Sequence, residues 1–150
     1  GGAGIQADLK TFSALGCYGS AAITALTVQN STGVKRSVAV DAQTVYEQAA
    51  VVFDDIAVDA LKIGMTANSG IIRAITRLVK TYHPATVILD PVMVSSSGHR
   101  LLDEEAIREL KKELMPLCTL VTPNIPELEV LSGGAEGIAA LFKVFEEIKR

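Results

Sequence analysis

Cysteine is scarce in this chain. Cys17 and Cys118 are the only two among 150 residues, and neither their number nor their spacing suits a disulfide framework or a zinc site. Long apolar runs are missing as well: none approaches the roughly 18 residues that a membrane-spanning helix needs. Charge of one sign is absent, since 14 basic against 17 acidic side chains leave a net charge of −3. Without a basic stripe, an electrostatic nucleic-acid binder is disfavoured. No internal repeat, low-complexity tract or signal-peptide pattern stands out. A reducing cytoplasm is the expectation these absences leave. What is there is apolar: 49% hydrophobic against 21% charged residues and a mean hydropathy of +0.33, enough for one domain with a core.

The apolar spacing predicts alternating strands and helices. After Gly1-Gly2-Ala3-Gly4, residues 5–15 carry helical spacing (Ile5, Leu9, Phe12, Leu15) closed by Gly16. Residues 20–28 read as a buried strand, 34–40 as a short alternating one, and Asp41 as the N-cap of a helix to about Phe53. A strand at 60–63 is followed by a helix opening at Asn68 or Ser69 and stopping near Pro84. Residues 86–89 form the next strand, Asp103 opens a helix to about Leu114, and 117–121 form a further strand. A short helix at 125–131 and an amphipathic one at 135–148 complete the series. Apolar strands alternating with helices imply an α/β fold with a mostly parallel sheet covered by helices.

The chemistry lies in what ends each strand. Four apolar runs terminate in Gln29-Asn30, Gly64-Met65, Asp90 and Asn124, the last followed by Glu127. Strands of a parallel sheet share one carboxyl edge, and ligands bind in the crevice there. An amide, a thioether, a carboxylate and a second amide would line such a pocket. His83, before Pro84 at a helix end, reads as a surface cation near the helix dipole. His99 lies in the loop Ser95-Ser96-Ser97-Gly98-His99.

Five blocks occur in order: Gly1-Gly2-Ala3-Gly4-Ile5-Gln6-Ala7-Asp8-Leu9-Lys10-Thr11, Ile23-Thr24-Ala25-Leu26-Thr27-Val28-Gln29-Asn30, Lys62-Ile63-Gly64-Met65, Leu89-Asp90-Pro91-Val92-Met93-Val94 and Val121-Thr122-Pro123-Asn124-Ile125-Pro126-Glu127. From Gly1 to about Leu131 the series resembles the hydroxymethylpyrimidine and hydroxymethylpyrimidine-phosphate kinases of thiamine biosynthesis, members of the ribokinase-like superfamily.

The resemblance implies a ribokinase-like α/β fold and transfer of a phosphoryl group from ATP, with Mg2+, to 4-amino-5-hydroxymethyl-2-methylpyrimidine or its monophosphate. A pyridoxal kinase of the same superfamily and a non-catalytic pyrimidine-binding module are the alternatives. Gln29 matches the substrate glutamine, whose carboxamide both donates and accepts as an aminopyrimidine requires. Met65 and Val92 match apolar positions against the ring, and Ala3 lies in the glycine loop that lets ligand and backbone approach closely. Asp90, Asn124 and Glu127 match the group near the phosphates, with Asp90 and Glu127 as magnesium ligands, directly or through water. Asp8 is assigned no catalytic role. The family is often dimeric, so a homodimer is expected.

Set against the resemblance, the chain lacks the family's first strand and Gly-Ser-Asp stretch. After Leu131 it also lacks the nucleotide-base pocket and the Gly-Thr-Gly-Cys anion hole with the catalytic residue. Residues 135–150 read as a later helix joined across missing residues or as a divergent end. These 150 residues alone are expected to be inactive.

Overall fold

The computed structural model describes residues 3–93, 101–135, 139–141 and 143–144. Its centre is a parallel sheet of β3 (Ala60–Ile63), β4 (Thr86–Leu89) and β5 (Leu120–Val121), in that order. Parallel neighbours need crossovers, and helices supply them. α3 (Ser69–Tyr82) joins β3 to β4, and α4 (Glu104–Glu109) with its continuation joins β4 to β5. The register sets Ile63 beside Leu89 and Leu89 beside Val121, so the three carboxyl ends lie on one edge.

Local chemistry fixes the helix starts. Asp41, Asn68 and Asp103 each accept a hydrogen bond from the backbone N–H three residues on, capping α2 (Ala42–Asp55), α3 and α4. α3 stops at His83, whose left-handed backbone (φ 47°) ends the helix immediately before Pro84. Beyond α4 the helix widens to a π turn over Leu110–Leu114 and tightens to a 3-10 turn over Met115–Leu117. Pro116 explains the change: it has no N–H to offer, and its ring clashes with the carbonyl four residues back.

One face of the sheet is the core. Ile63, Val87 and Leu89 pack with Ile71, Ile72, Ile75 and Val79 of α3 and with Leu110, Leu114 and Met115. The other face, carrying Lys62, Ile88 and Leu120, is only thinly covered, and Leu120 is 51% exposed. Burial therefore alternates along β4, where the apolar runs predict equal cover on both faces.

The largest departure from expectation precedes the sheet. β1 (Ala25–Asn30) starts later than the predicted strand at 20–28 and includes Gln29 and Asn30. It pairs antiparallel with β2 (Gly33–Ala39) in a hairpin separate from the parallel sheet. Asn30 dictates this. Its Oδ1 accepts from Thr32 N at 2.9 Å, Gly33 N at 3.2 Å and the Thr32 hydroxyl at 2.7 Å, folding the chain straight back on itself. β5 is also shorter than predicted, because residues up to Leu117 belong to the turn around Pro116. α1 (Ile5–Ala14) and α5 (Ile125–Leu131) form where expected. The helix expected at 135–148 and the loop with Ser96 and His99 fall largely or wholly outside the described residues.

Candidate functional site

The parallel ladder runs one residue past each strand. Asp90 N donates to Ile63 O at 2.8 Å and Thr122 N to Leu89 O at 2.9 Å, so Gly64, Asp90 and Thr122 stand in a row at the carboxyl edge. Asp90 begins a tight turn in which Val92 N donates back to Asp90 O at 2.8 Å. Pro91 and Met93 are buried on either side of a partly buried Val92, which holds Val92 at the same edge as Asp90.

Two residues beyond Thr122, Asn124 and Glu127 close a reciprocal box at the start of α5. Asn124 Oδ1 accepts from Glu127 N at 2.9 Å, and Glu127 Oε2 accepts from Asn124 N at 3.0 Å. Glu127 is 5% exposed, which is rare for a carboxylate, and the box orients it while leaving its second oxygen outside that bond. The expectation that Asp90, Asn124 and Glu127 follow strand ends on one edge agrees with the parallel topology.

Met65 lies two residues past the end of β3, after Gly64. Its carbonyl accepts from Thr24 Oγ1 at 2.6 Å, and Ala67 two residues on has a left-handed backbone with φ 62°, which an L side chain adopts only under strain. Ala3 precedes Gly4, whose carbonyl receives Ala7 N and Asp8 N, each at 3.0 Å, to start α1. Gln29 is set apart from this edge. It lies exposed in the hairpin at a register shift after Val28, paired with Val34, beside a shallow groove lined by Asn30, Thr32 and Lys35. The edge thus carries Met65, Asp90, Val92, Asn124 and Glu127, with Gln29 on a separate arm.

Lys62 escaped the sequence reading. Its ammonium lies 2.9 and 3.0 Å from the two carboxylate oxygens of Asp8 and 3.6 Å from Asp90 Oδ2. It therefore links α1 to the end of β4. The signal was present in the sequence: Lys62 is the one charge inside the run Ala60-Leu61-Lys62-Ile63, and a charge within an apolar strand calls for a partner.

Among the described residues, no three His, Cys, Asp or Glu side chains gather into a metal cage. The two carboxylates present, Asp90 and Glu127, suit magnesium in another way. That ion takes oxygen ligands, keeps several waters and is commonly held by one or two carboxylates plus substrate phosphates. Both cysteines are free. Cys17 is exposed, whereas burial pushes the Cys118 thiol up to about 11. No helix among the described residues is long and apolar enough to cross a membrane.

Comparison with known proteins identifies the family and the fold. The phosphomethylpyrimidine kinase family matches residues 1–149, running past Leu131, where the resemblance read from motifs stops. The chain is 47% identical over 131 residues to the hydroxymethylpyrimidine/phosphomethylpyrimidine kinase of Salmonella typhimurium, covering 87% of this chain and 49% of that protein. It is 50% identical over 133 residues to the thiamine biosynthesis bifunctional protein ThiED of Geobacter sulfurreducens, covering 89% of this chain and 27% of that one. Among solved structures, a Clostridium difficile phosphomethylpyrimidine kinase superposes with a TM-score of 0.87 at 46% identity, covering 99% of this chain and 64% of that one. A Staphylococcus aureus pyridoxal kinase bound to AMP-PCP and pyridoxal gives 0.82 at 30% identity, covering 99% and 53%. The chain spans about half the length of the Salmonella relative, and its α/β fold is that of the ribokinase-like kinases.

Proposed function

The chain belongs to the phosphomethylpyrimidine kinase family, and from that premise we propose that it forms the substrate pocket and part of the phosphate site of an ATP-dependent kinase of thiamine biosynthesis. The acceptor is 4-amino-5-hydroxymethyl-2-methylpyrimidine or its monophosphate. The observation that carries this reading is the single sheet edge on which Met65, Asp90 and Val92 follow β3 and β4, while the box of Asn124 and Glu127 follows β5.

In this reading Met65 and Val92 flank the pyrimidine ring, Ala3 lets the glycine loop approach it, and Gln29 pairs with its amino group and ring nitrogen. Asp90 and Glu127 hold magnesium, directly or through water, and Asn124 fixes the orientation of Glu127. Phosphoryl transfer depends mainly on positioning and charge neutralisation, which these groups provide. The protein works in the cytoplasm as a homodimer; exposed Leu26, Val28 and Val38 on the hairpin suit contact with a second copy.

The test uses the natural full-length polypeptide. It should phosphorylate the hydroxymethylpyrimidine in preference to pyridoxal, the substrate named for the more distant structural neighbour. Gln29→Ala should weaken pyrimidine binding about tenfold in calorimetry with ATP binding nearly unchanged. Glu127→Gln should lower turnover and raise the magnesium requirement with the fold intact. Preference for pyridoxal, or pyrimidine affinity indifferent to Gln29, would overturn the reading.

A further inference from the structure

We infer that Lys62 is a positioning residue, whose ammonium fixes the glycine-loop helix α1 against the carboxyl edge by holding Asp8 and Asp90 together. The inference deepens the function proposed above and rests on that reading for its link to the pyrimidine. Three observations support it.

First, α1 has little else to hold it. None of its residues is buried. Among the described residues, the Asp8 contact with Lys62 is the only side-chain hydrogen bond from α1 to the sheet. Packing helps at one point, where Leu9 and Phe12 press on Gly19 so closely that a Cβ there would meet them at 2.8 and 3.0 Å.

Second, Lys62 sits where it can reach both partners. It pairs in register with Ile88 on the thinly covered face of the sheet, and only Ile63 separates it from the strand end at Gly64. A Cβ placed on Gly64 would have the Lys62 ammonium as its neighbour at 3.8 Å, so the charge lies beside the mouth of the strand. Third, the two contacts are unequal. Both Asp8 oxygens are within 3.0 Å, against 3.6 Å for Asp90. The firm bond anchors α1, while the looser one orients Asp90 without occupying its carboxylate fully. An exposed ion pair contributes little to stability. This one, about three-quarters shielded at Lys62, has its effect on where Ala3 and Asp90 stand.

The experiment compares Lys62→Met, Lys62→Arg and Asp8→Asn with the unaltered full-length protein. Backbone hydrogen exchange of residues 5–14 is read without ligand, and affinity for the hydroxymethylpyrimidine by calorimetry without nucleotide. Lys62→Met should speed exchange in α1 about tenfold and weaken the pyrimidine about tenfold, leaving exchange in α3 unchanged. Lys62→Arg should restore most of the protection, since it keeps the charge. Asp8→Asn, which leaves Lys62 facing Asp90, should loosen α1 to the same extent, and it carries the test should Lys62→Met not fold. Unchanged exchange in α1 would overturn the tie. Faster exchange with unaltered pyrimidine affinity would overturn the positioning role. Failure of the unaltered protein to bind the pyrimidine would instead overturn the proposed function, and the exchange data would still decide whether Lys62 anchors α1.

Discussion

The parallel sheet with α3 and α4 differs sharply from the segment formed by α1 and the β1–β2 hairpin. In the first, Ile71, Ile72, Val87, Leu89 and Leu114 are at most 1% exposed. In the second, no residue of α1, β1 or β2 is buried. Yet the site expectations are shared between them: Asp90, Asn124 and Glu127 on the packed side, Ala3 and Gln29 on the exposed one. The residues proposed for the phosphates are positioned by close packing, which leaves few alternatives. Ala3 and Gln29, proposed for the pyrimidine, belong to a segment held by a few polar joints. These are Lys62 with Asp8, Thr24 with the Met65 carbonyl, and Gln48, whose carboxamide exchanges two hydrogen bonds with the Ile23 backbone at 3.0 and 3.1 Å. Segments held this way are the ones that open locally and adapt to ligands.

The sharpest way to break the comparison is to truncate one apolar residue on each side. Leu89→Ala removes a fully buried side chain from the middle of the core and should cost about 2–5 kcal/mol in urea unfolding. Leu26→Ala, at a position 61% exposed, should stay within about 0.5 kcal/mol. Comparable losses would show that the hairpin is packed in solution, as a dimer contact would make it.

This division also decided how much could be read from sequence. β3, β4 and α5 form at their expected bounds, and the caps Asp41, Asn68 and Asp103 are where their side chains implied. On the core face of the packed region apolar pattern and burial agree, so local pattern and tertiary structure place these elements alike, whereas the thin cover of the other face was not legible. Both strands of the hairpin were legible, near 20–28 and 34–40, but the first was misread as buried, because Ala, Thr and Val there look alike for a buried strand and an exposed one. The deciding residue, Asn30, acts through a turn bond that periodicity does not report. Placing Asp90 and Glu127 at one edge needed only the parallel order of strands. That Lys62 needs a partner was legible from its apolar strand, but the partners themselves were not, because Asp8 is 54 residues away and Asp90 lies across the sheet.

The seam between the regions offers a medium-sized effect. Thr24→Val keeps the shape of the side chain and deletes the hydroxyl that donates to Met65 O at 2.6 Å. Loss of that partly buried bond should cost about 1 kcal/mol. Because the freed carbonyl lies two residues before the left-handed Ala67, Met65 should also lose its fixed place and the pyrimidine bind several-fold more weakly in calorimetry. A stability loss without any change in affinity would separate the seam from the site.

The smallest effect uses one of the two cysteines, which lie one in each region. Cys17 follows α1 and is exposed, whereas Cys118 follows the turn at Pro116, where its Sγ donates to Leu114 O at 3.3 Å. Burial raises the Cys118 pKa from 9.0 to about 11, because the thiolate would lose its hydration there. The folded state therefore keeps this proton to higher pH than the unfolded chain does. Below about pH 9 both states hold it and the contribution to stability is complete. Between about pH 9 and pH 11 only the folded state holds it, so unfolding releases a proton and stability falls as pH rises. With allowance for the thiol's partial exposure, the loss is on the order of 1 kcal/mol. Urea midpoints at about pH 8 and about pH 10.5 should therefore differ more in the unaltered protein than in Cys118→Ala. An equal pH response in Cys118→Ala would mean that the thiolate is solvated in the folded state, and that the packed side is looser around the Pro116 turn than its burial implies.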